Sequence, residues 1–127
     1  MDEHQFKQRT KGLALRAIKL VEALPKGATA NVIGKQLLRC ATSVGANYRA
    51  ACRGKSAADV INKLSIVEEE ADECLYWMEL LIEAEIVSRT RLENLMAETN
   101  EILAMVVASI KTLRSKHPPI QNPKSKI

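Results

Sequence analysis

The sequence predicts an all-α protein, an antiparallel up-down-up-down four-helix bundle. Three observations predict it. Ala, Leu, Glu, Lys and Arg dominate the 127 residues while aromatics make up only 3%, a balance that favours helix over sheet. Apolar residues recur in alternating three- and four-residue steps through four long segments, which is the spacing of one face of a helix. Short stretches with Pro, Gly or Ser separate those segments and supply the stops and caps. A chain of this length with 46% apolar residues can bury a core without disulfides or metals. The expected organisation is a bundle over residues 1–116 and a disordered basic tail over 117–127, HPPIQNPKSKI, which holds three prolines and two lysines.

The first helix is expected from about Phe6 to Leu24, with Phe6, Leu13, Ala17, Ile18, Val21 and Leu24 inward. Pro25 and Gly27 end it, because neither continues a helix cheaply. Thr29 or Asn31 is expected to cap the second helix and Gly54 to close it. Ser56 and Asp59 form a capping-box-like start for the third helix, a hydroxyl and a carboxylate three residues apart. Val60, Leu64, Val67, Ala71, Cys74, Met78 and Leu81 then step along one face. Thr90-Arg91-Leu92-Glu93 matches a capping box for the fourth helix, whose core line reads Leu92, Met96, Thr99, Leu103, Val106, Ile110 and Leu113.

The segment Lys35 to Lys55 carries the most functional information. At about 100° per residue, Ile33, Leu37, Cys40, Ala41, Val44, Tyr48 and Ala51 gather on one side. Lys35, Arg39, Arg49 and Arg53 fall within roughly 80° of each other on the opposite side and span about 27 Å of helix axis. An outward face needs polarity, but nothing about packing requires four cations and no carboxylate. Charge is segregated along the whole chain as well. Residues 1–55 hold eleven Lys/Arg against three Asp/Glu, residues 59–101 hold three against twelve, and the remainder is basic. Two readings follow from this pattern. Basic and acidic helices neutralise one another side by side, or the basic surface meets the phosphates of RNA or DNA. Arg suits bidentate phosphate contact. No aromatics interleave with the stripe, so such contact would be electrostatic and independent of base sequence.

Catalysis finds little support. His4 and His117 lie near opposite ends, neither beside a nucleophile nor in metal-ligand spacing. Ser43 has no base three or four residues away and reads as a polar packing residue. The cluster Glu68-Glu69-Glu70 with Asp72 and Glu73 lacks the Glu-x-x-His pairs of a di-metal bundle, so it reads as a solvated face or a partner for basic helices. No enzyme activity, cofactor or metal is expected. Three cysteines without CxxC spacing (Cys40, Cys52 and Cys74) read as reduced thiols on apolar faces. With no apolar run long enough to span a bilayer and a polar N-terminus, the expectation is a cytoplasmic protein without membrane contact. Ile66, Trp77 and the aliphatic part of Glu70 project about 100° from the main stripe of the third helix. A second apolar patch there implies a wider core or an oligomer interface, the latter favoured by the Trp.

Two motifs carry a family resemblance. Gln36-Leu37-Leu38-Arg39-Cys40-Ala41-Thr42-Ser43-Val44-Gly45-Ala46-Asn47-Tyr48-Arg49 is one; Lys63-Leu64-Ser65-Ile66 with Glu70-Ala71-Asp72-Glu73-Cys74-Leu75-Tyr76-Trp77 is the other. Together they resemble the bacterial four-helix-bundle proteins encoded within intervening sequences of 23S ribosomal RNA genes, in matching order over roughly residues 10–113. The resemblance implies a homopentamer with a central channel. It extends to the accessory proteins of diversity-generating retroelements, basic bundles that bind nucleic acid and a reverse transcriptase. This chain departs from the family at Ala50, where Glu commonly follows Asn-Tyr-Arg. Any ion pair that Glu makes is absent, which leaves Arg49 freer to face solvent or a phosphate. A protein-interaction scaffold without a nucleic-acid role is the competing expectation.

Overall fold

The computed structural model describes residues 2–118. Four helices make up the fold: α1 (Glu3–Glu22), α2 (Ala28–Cys52), α3 (Ala57–Glu83) and α4 (Arg89–Lys116). There are no strands among the described residues. The expected tail lies outside them except for His117 and Pro118.

Each helix packs on its chain neighbours, most extensively α2 on α3, while α1 and α4 meet along a thinner seam. One continuous core joins all four, with Leu13 and Ala17 of α1, Leu37 and Val44 of α2, Val67 and Met78 of α3, and Leu92 and Ile102 of α4 fully buried. Two threonines are buried with it. Thr10 donates to Lys7 O at 3.1 Å and Thr99 to Leu95 O at 2.8 Å, so neither hydroxyl is left unpaired in an apolar setting.

The helix ends explain where expectation and structure part. α1 starts earlier than expected because Asp2 caps it, accepting from Gln5 N at 2.7 Å. α2 takes no side-chain cap from Thr29 or Asn31. Its N-cap is Gly27 at φ 148°, backbone that a side chain rarely tolerates. Ser56 caps α3 by accepting from Asp59 N at 3.1 Å, and Asp59 Oδ2 accepts from Lys55 N at 3.3 Å, so the expected box forms around the turn. The box expected at Thr90 and Glu93 does not form: α4 begins two residues earlier, with Ser88 at the N-cap making no side-chain bond. That displaces Glu93 to the second turn, out of reach of the cap. The core line of α4 holds at Leu92, Thr99, Val106 and Ile110 and is one residue off at two positions. Leu95 and Ile102 are buried where Met96 and Leu103 were expected, and the latter two are half-buried.

Candidate nucleic-acid interface

The four stripe cations sit on the outer side of α2 but do not share one environment. Arg39 turns toward α3. Its Nη1 donates to Glu70 Oε2 at 3.0 Å, its Nη2 donates to Glu73, and its Nε donates to Gln36 Oε1 at 3.1 Å. The guanidinium therefore neutralises two carboxylates of its own chain, as the side-by-side reading of segregated charge expects. These two carboxylates together with Glu73's second partner, Trp77 Nε1 at 3.0 Å, tie α2 and α3 into one polar network.

Lys35, Arg49 and Arg53 are exposed and form no ion pair among the described residues. Lys35 borders a hollow of about 450 Å³ under the turn from α1 to α2, next to Lys26. Arg53 is the C-cap of α2 and borders a hollow of about 510 Å³ with Lys55, Lys63 and Asp59. Arg49 leans the other way, into a groove of about 380 Å³ between α1 and α2.

That groove gathers three cations and a histidine. His4, Lys7 and Lys11 of α1 join Arg49 of α2 on its walls, with Gln8 and Thr42 between them and no carboxylate among the lining residues. The two helices approach closely because Gly45 faces Thr10: a Cβ on Gly45 would lie 3.3 Å from Thr10 Oγ1. Small residues thus make the floor, and long basic side chains make the rim. Lys7 also meets Glu3 at 3.4 Å, an exposed pair one turn apart of the kind worth little in water. The α1 cations were not singled out from the sequence. Their signal was present in Lys7 and Lys11, spaced to lie on one face, but it becomes meaningful only when α1 is set beside Arg49.

The residues expected at an oligomer interface are also spread. Ile66 is half-buried and borders the same hollow as Arg53, so the two sites drawn separately from the sequence adjoin. Glu70 is engaged by Arg39 within the chain. Trp77 was expected outside the core but leans half-buried against it, held by its bond to Glu73. Its ring meets Tyr76 edge-on at 5.1 Å, and Tyr76 is 52% exposed. Ser43 accepts from Asn47 Nδ2 at 2.8 Å, in keeping with a packing role. Among the described residues no cluster of three or more His, Cys, Asp or Glu is placed to hold a metal ion, and no helix is long and apolar enough to cross a membrane.

Comparison with known proteins adds a family. A model of the family described as 23S rRNA-intervening sequence protein matches residues 2–108. Among solved structures, the chain is similar to a protein from Bacteroides thetaiotaomicron VPI-5482 described as of unknown function from the S23 ribosomal protein family. The two are 38% identical, the match covers 87% of this chain and 99% of that chain, and the TM-score is 0.81. No curated protein matches the chain.

Proposed function

The chain belongs to the 23S rRNA-intervening sequence protein family, and from that premise we propose that it is a non-catalytic, cytoplasmic protein that binds the backbone of RNA or DNA. The observation that carries the reading is the α1/α2 groove, where His4, Lys7, Lys11 and Arg49 converge without a lining carboxylate. Packing does not require that arrangement. Lys35 and Arg53 extend the cationic surface along α2, whereas Arg39 contributes charge that is already balanced. The finer architecture belongs to the same proposal: short connectors favour an up-down-up-down antiparallel order, and a homopentameric ring would repeat a weak patch five times and raise avidity.

The test is anisotropy of a labelled oligonucleotide, RNA and DNA in turn, across a salt series. Affinity falls steeply with salt, and Lys11→Glu with Arg49→Glu removes most of it. Arg39→Gln has a smaller effect. Affinity indifferent to both salt and charge reversal overturns the reading.

A second reading rests on Tyr76, an exposed aromatic beside the half-buried Trp77. Such an edge suits a protein partner or another copy of the chain. Co-purification of one protein from nuclease-treated extract, with no bound oligonucleotide, favours it.

A further inference from the structure

The α2/α3 seam holds a feature that phosphate binding does not use. Cys40 of α2 and Cys74 of α3 are both fully buried, and their Sγ atoms lie 3.2 Å apart, Cys74 donating to Cys40. Cys40 in turn donates to Leu37 O at 3.4 Å. A disulfide needs an S–S separation of about 2.0 Å, so closure brings the two sulfurs together by roughly 1 Å. Ala41 and Ala71, each within three residues of one member of the pair, are also fully buried. The third thiol has no part in this. Cys52 is half-buried beside Tyr48 in the cleft near the end of α2, twelve residues on from Cys40, which is about 18 Å along the axis.

What stands over the pair is the Arg39 clasp. Arg39 directly precedes Cys40 and Glu73 directly precedes Cys74. The bonds from Arg39 to Glu70 and Glu73 therefore bridge α2 to α3 at the level of the thiols. The bond to Cys40, burial and the two nearby carboxylates all push the Cys74 thiol up, which keeps it protonated and unreactive while the seam is closed. Reaction with an outside oxidant thus requires the seam to open locally.

We propose that Cys40 and Cys74 form a dithiol–disulfide site across α2 and α3, and that the Arg39 clasp on Glu70 and Glu73 controls the access of a peroxide to it. The chemistry balances with hydrogen peroxide as the two-electron oxidant. One sulfur attacks a peroxide oxygen, giving a sulfenic acid and, after proton transfer, one water. The second sulfur attacks the sulfenic sulfur, forming the S–S bond and releasing a second water.

The experiment uses the full chain, hydrogen peroxide at neutral pH, an acid quench and thiol counting after denaturation. The count falls from three to one, with a loss of two hydrogens and a single intrachain link between Cys40 and Cys74. Cys52→Ala falls from two thiols to none, while Cys40→Ala and Cys74→Ala form no intrachain link. Arg39→Ala speeds closure about fivefold, the factor that matches loss of about 1 kcal/mol from a partly exposed pair, and Arg39→Gln repeats the test should the first variant fold poorly. Arg9→Ala, which loosens the other seam, leaves the rate unchanged. Three thiols surviving the treatment, or a link through Cys52, overturns the site. An unaltered rate in both Arg39 variants, or equal acceleration by Arg9→Ala, overturns the gate.

Discussion

Arg9 of α1 grips Glu98 of α4 with two parallel bonds, Nε to Oε2 at 3.0 Å and Nη2 to Oε1 at 2.6 Å. Its remaining nitrogen reaches Met105 Sδ at 3.3 Å, and Glu101 stands 3.7 Å away. Because α1 and α4 share the thinnest seam of the fold, a bidentate pair matters more here than between helices already joined by a deep apolar contact. The hydrogen bonds to Glu98 hold the Arg9 guanidinium above its usual range against the opposing effect of burial. Arg9→Ala therefore costs about 1–2 kcal/mol, part of it from lost packing of the aliphatic stem. In a double-mutant cycle with Glu98→Ala the two effects fall short of additive. Urea midpoints check this, and additivity within error contradicts it.

Gly54 is where the turn from α2 to α3 is tightest. A Cβ there would sit 2.5 Å from Val60 Cγ2 and 3.1 Å from the Ala51 carbonyl oxygen. The sequence led to Gly54 as the residue that closes α2, and it stands outside the helix directly after the C-cap, Arg53. Its function is to let α3 approach the end of α2. Gly54→Ala must shift backbone, at about 1–3 kcal/mol, which thermal unfolding reads directly.

The end of α3 is built the opposite way. Glu85 adopts φ 60°, a left-handed conformation that suits glycine. Ile86 N donates to Leu81 O and Glu85 N to Ile82 O, both at 2.9 Å, so the last carbonyls are satisfied despite the unsuitable residue. The carboxylate also sits at the negative end of the helix, whose last turn holds no basic residue. Glu85→Gly consequently stabilises the protein by about 1 kcal/mol. A lower midpoint would contradict the strain.

Tyr48 gives the pH dependence. Its ring packs on Phe6 with centroids 4.5 Å apart, and burial first, then a hydrogen bond with Cys52, push its hydroxyl well above the ordinary range. The unfolded chain ionises its tyrosines near pH 10. A group whose folded value is raised contributes fully below that point and loses its contribution as pH rises toward the folded value. Stability thus falls as pH rises above about 10 toward the folded value, and Tyr48→Phe flattens part of the fall.

Much of this was legible in the sequence for a physical reason. Periodicity reports which face is buried, so Leu13, Leu37, Val44, Val67, Ala71 and Met78 were found in the core. It reports a face only to within a residue or so, and α4 was read correctly at Leu92, Thr99, Val106 and Ile110 but one residue off at Met96 and Leu103. Caps were legible where side chain and backbone are close in sequence, as at Ser56 and Asp59. At Gly27 and Ser88 the helix starts without a side-chain bond, so no pattern of capping residues could mark it. The basic stripe was legible as a set of residues but not as a surface. Whether Arg39 meets a phosphate or a carboxylate depends on what α3 places opposite, and Glu70 and Glu73 lie more than 30 residues away. Lys7 and Lys11 became candidates only once α1 lay against Arg49.

Trp77 separates packing from assembly. Its half-buried ring leans on the core and its Nε1 bonds Glu73, so Trp77→Ala costs stability even in a single chain. Partial burial puts that loss at about 1–3 kcal/mol, below the cost for a fully buried aromatic. The neighbouring Tyr76 is exposed, so a contact between copies of the chain at this edge engages both rings. The expected result is a variant that keeps its helix content, melts at lower temperature and loses the mass of the assembly in light scattering. Tyr76→Ala supplies the contrast. It reduces assembly with little change in the melting of the dissociated chain, because an exposed ring contributes little to its own fold. An unmodified protein with the mass of one chain, or a Tyr76→Ala protein that assembles normally, removes this edge as the interface.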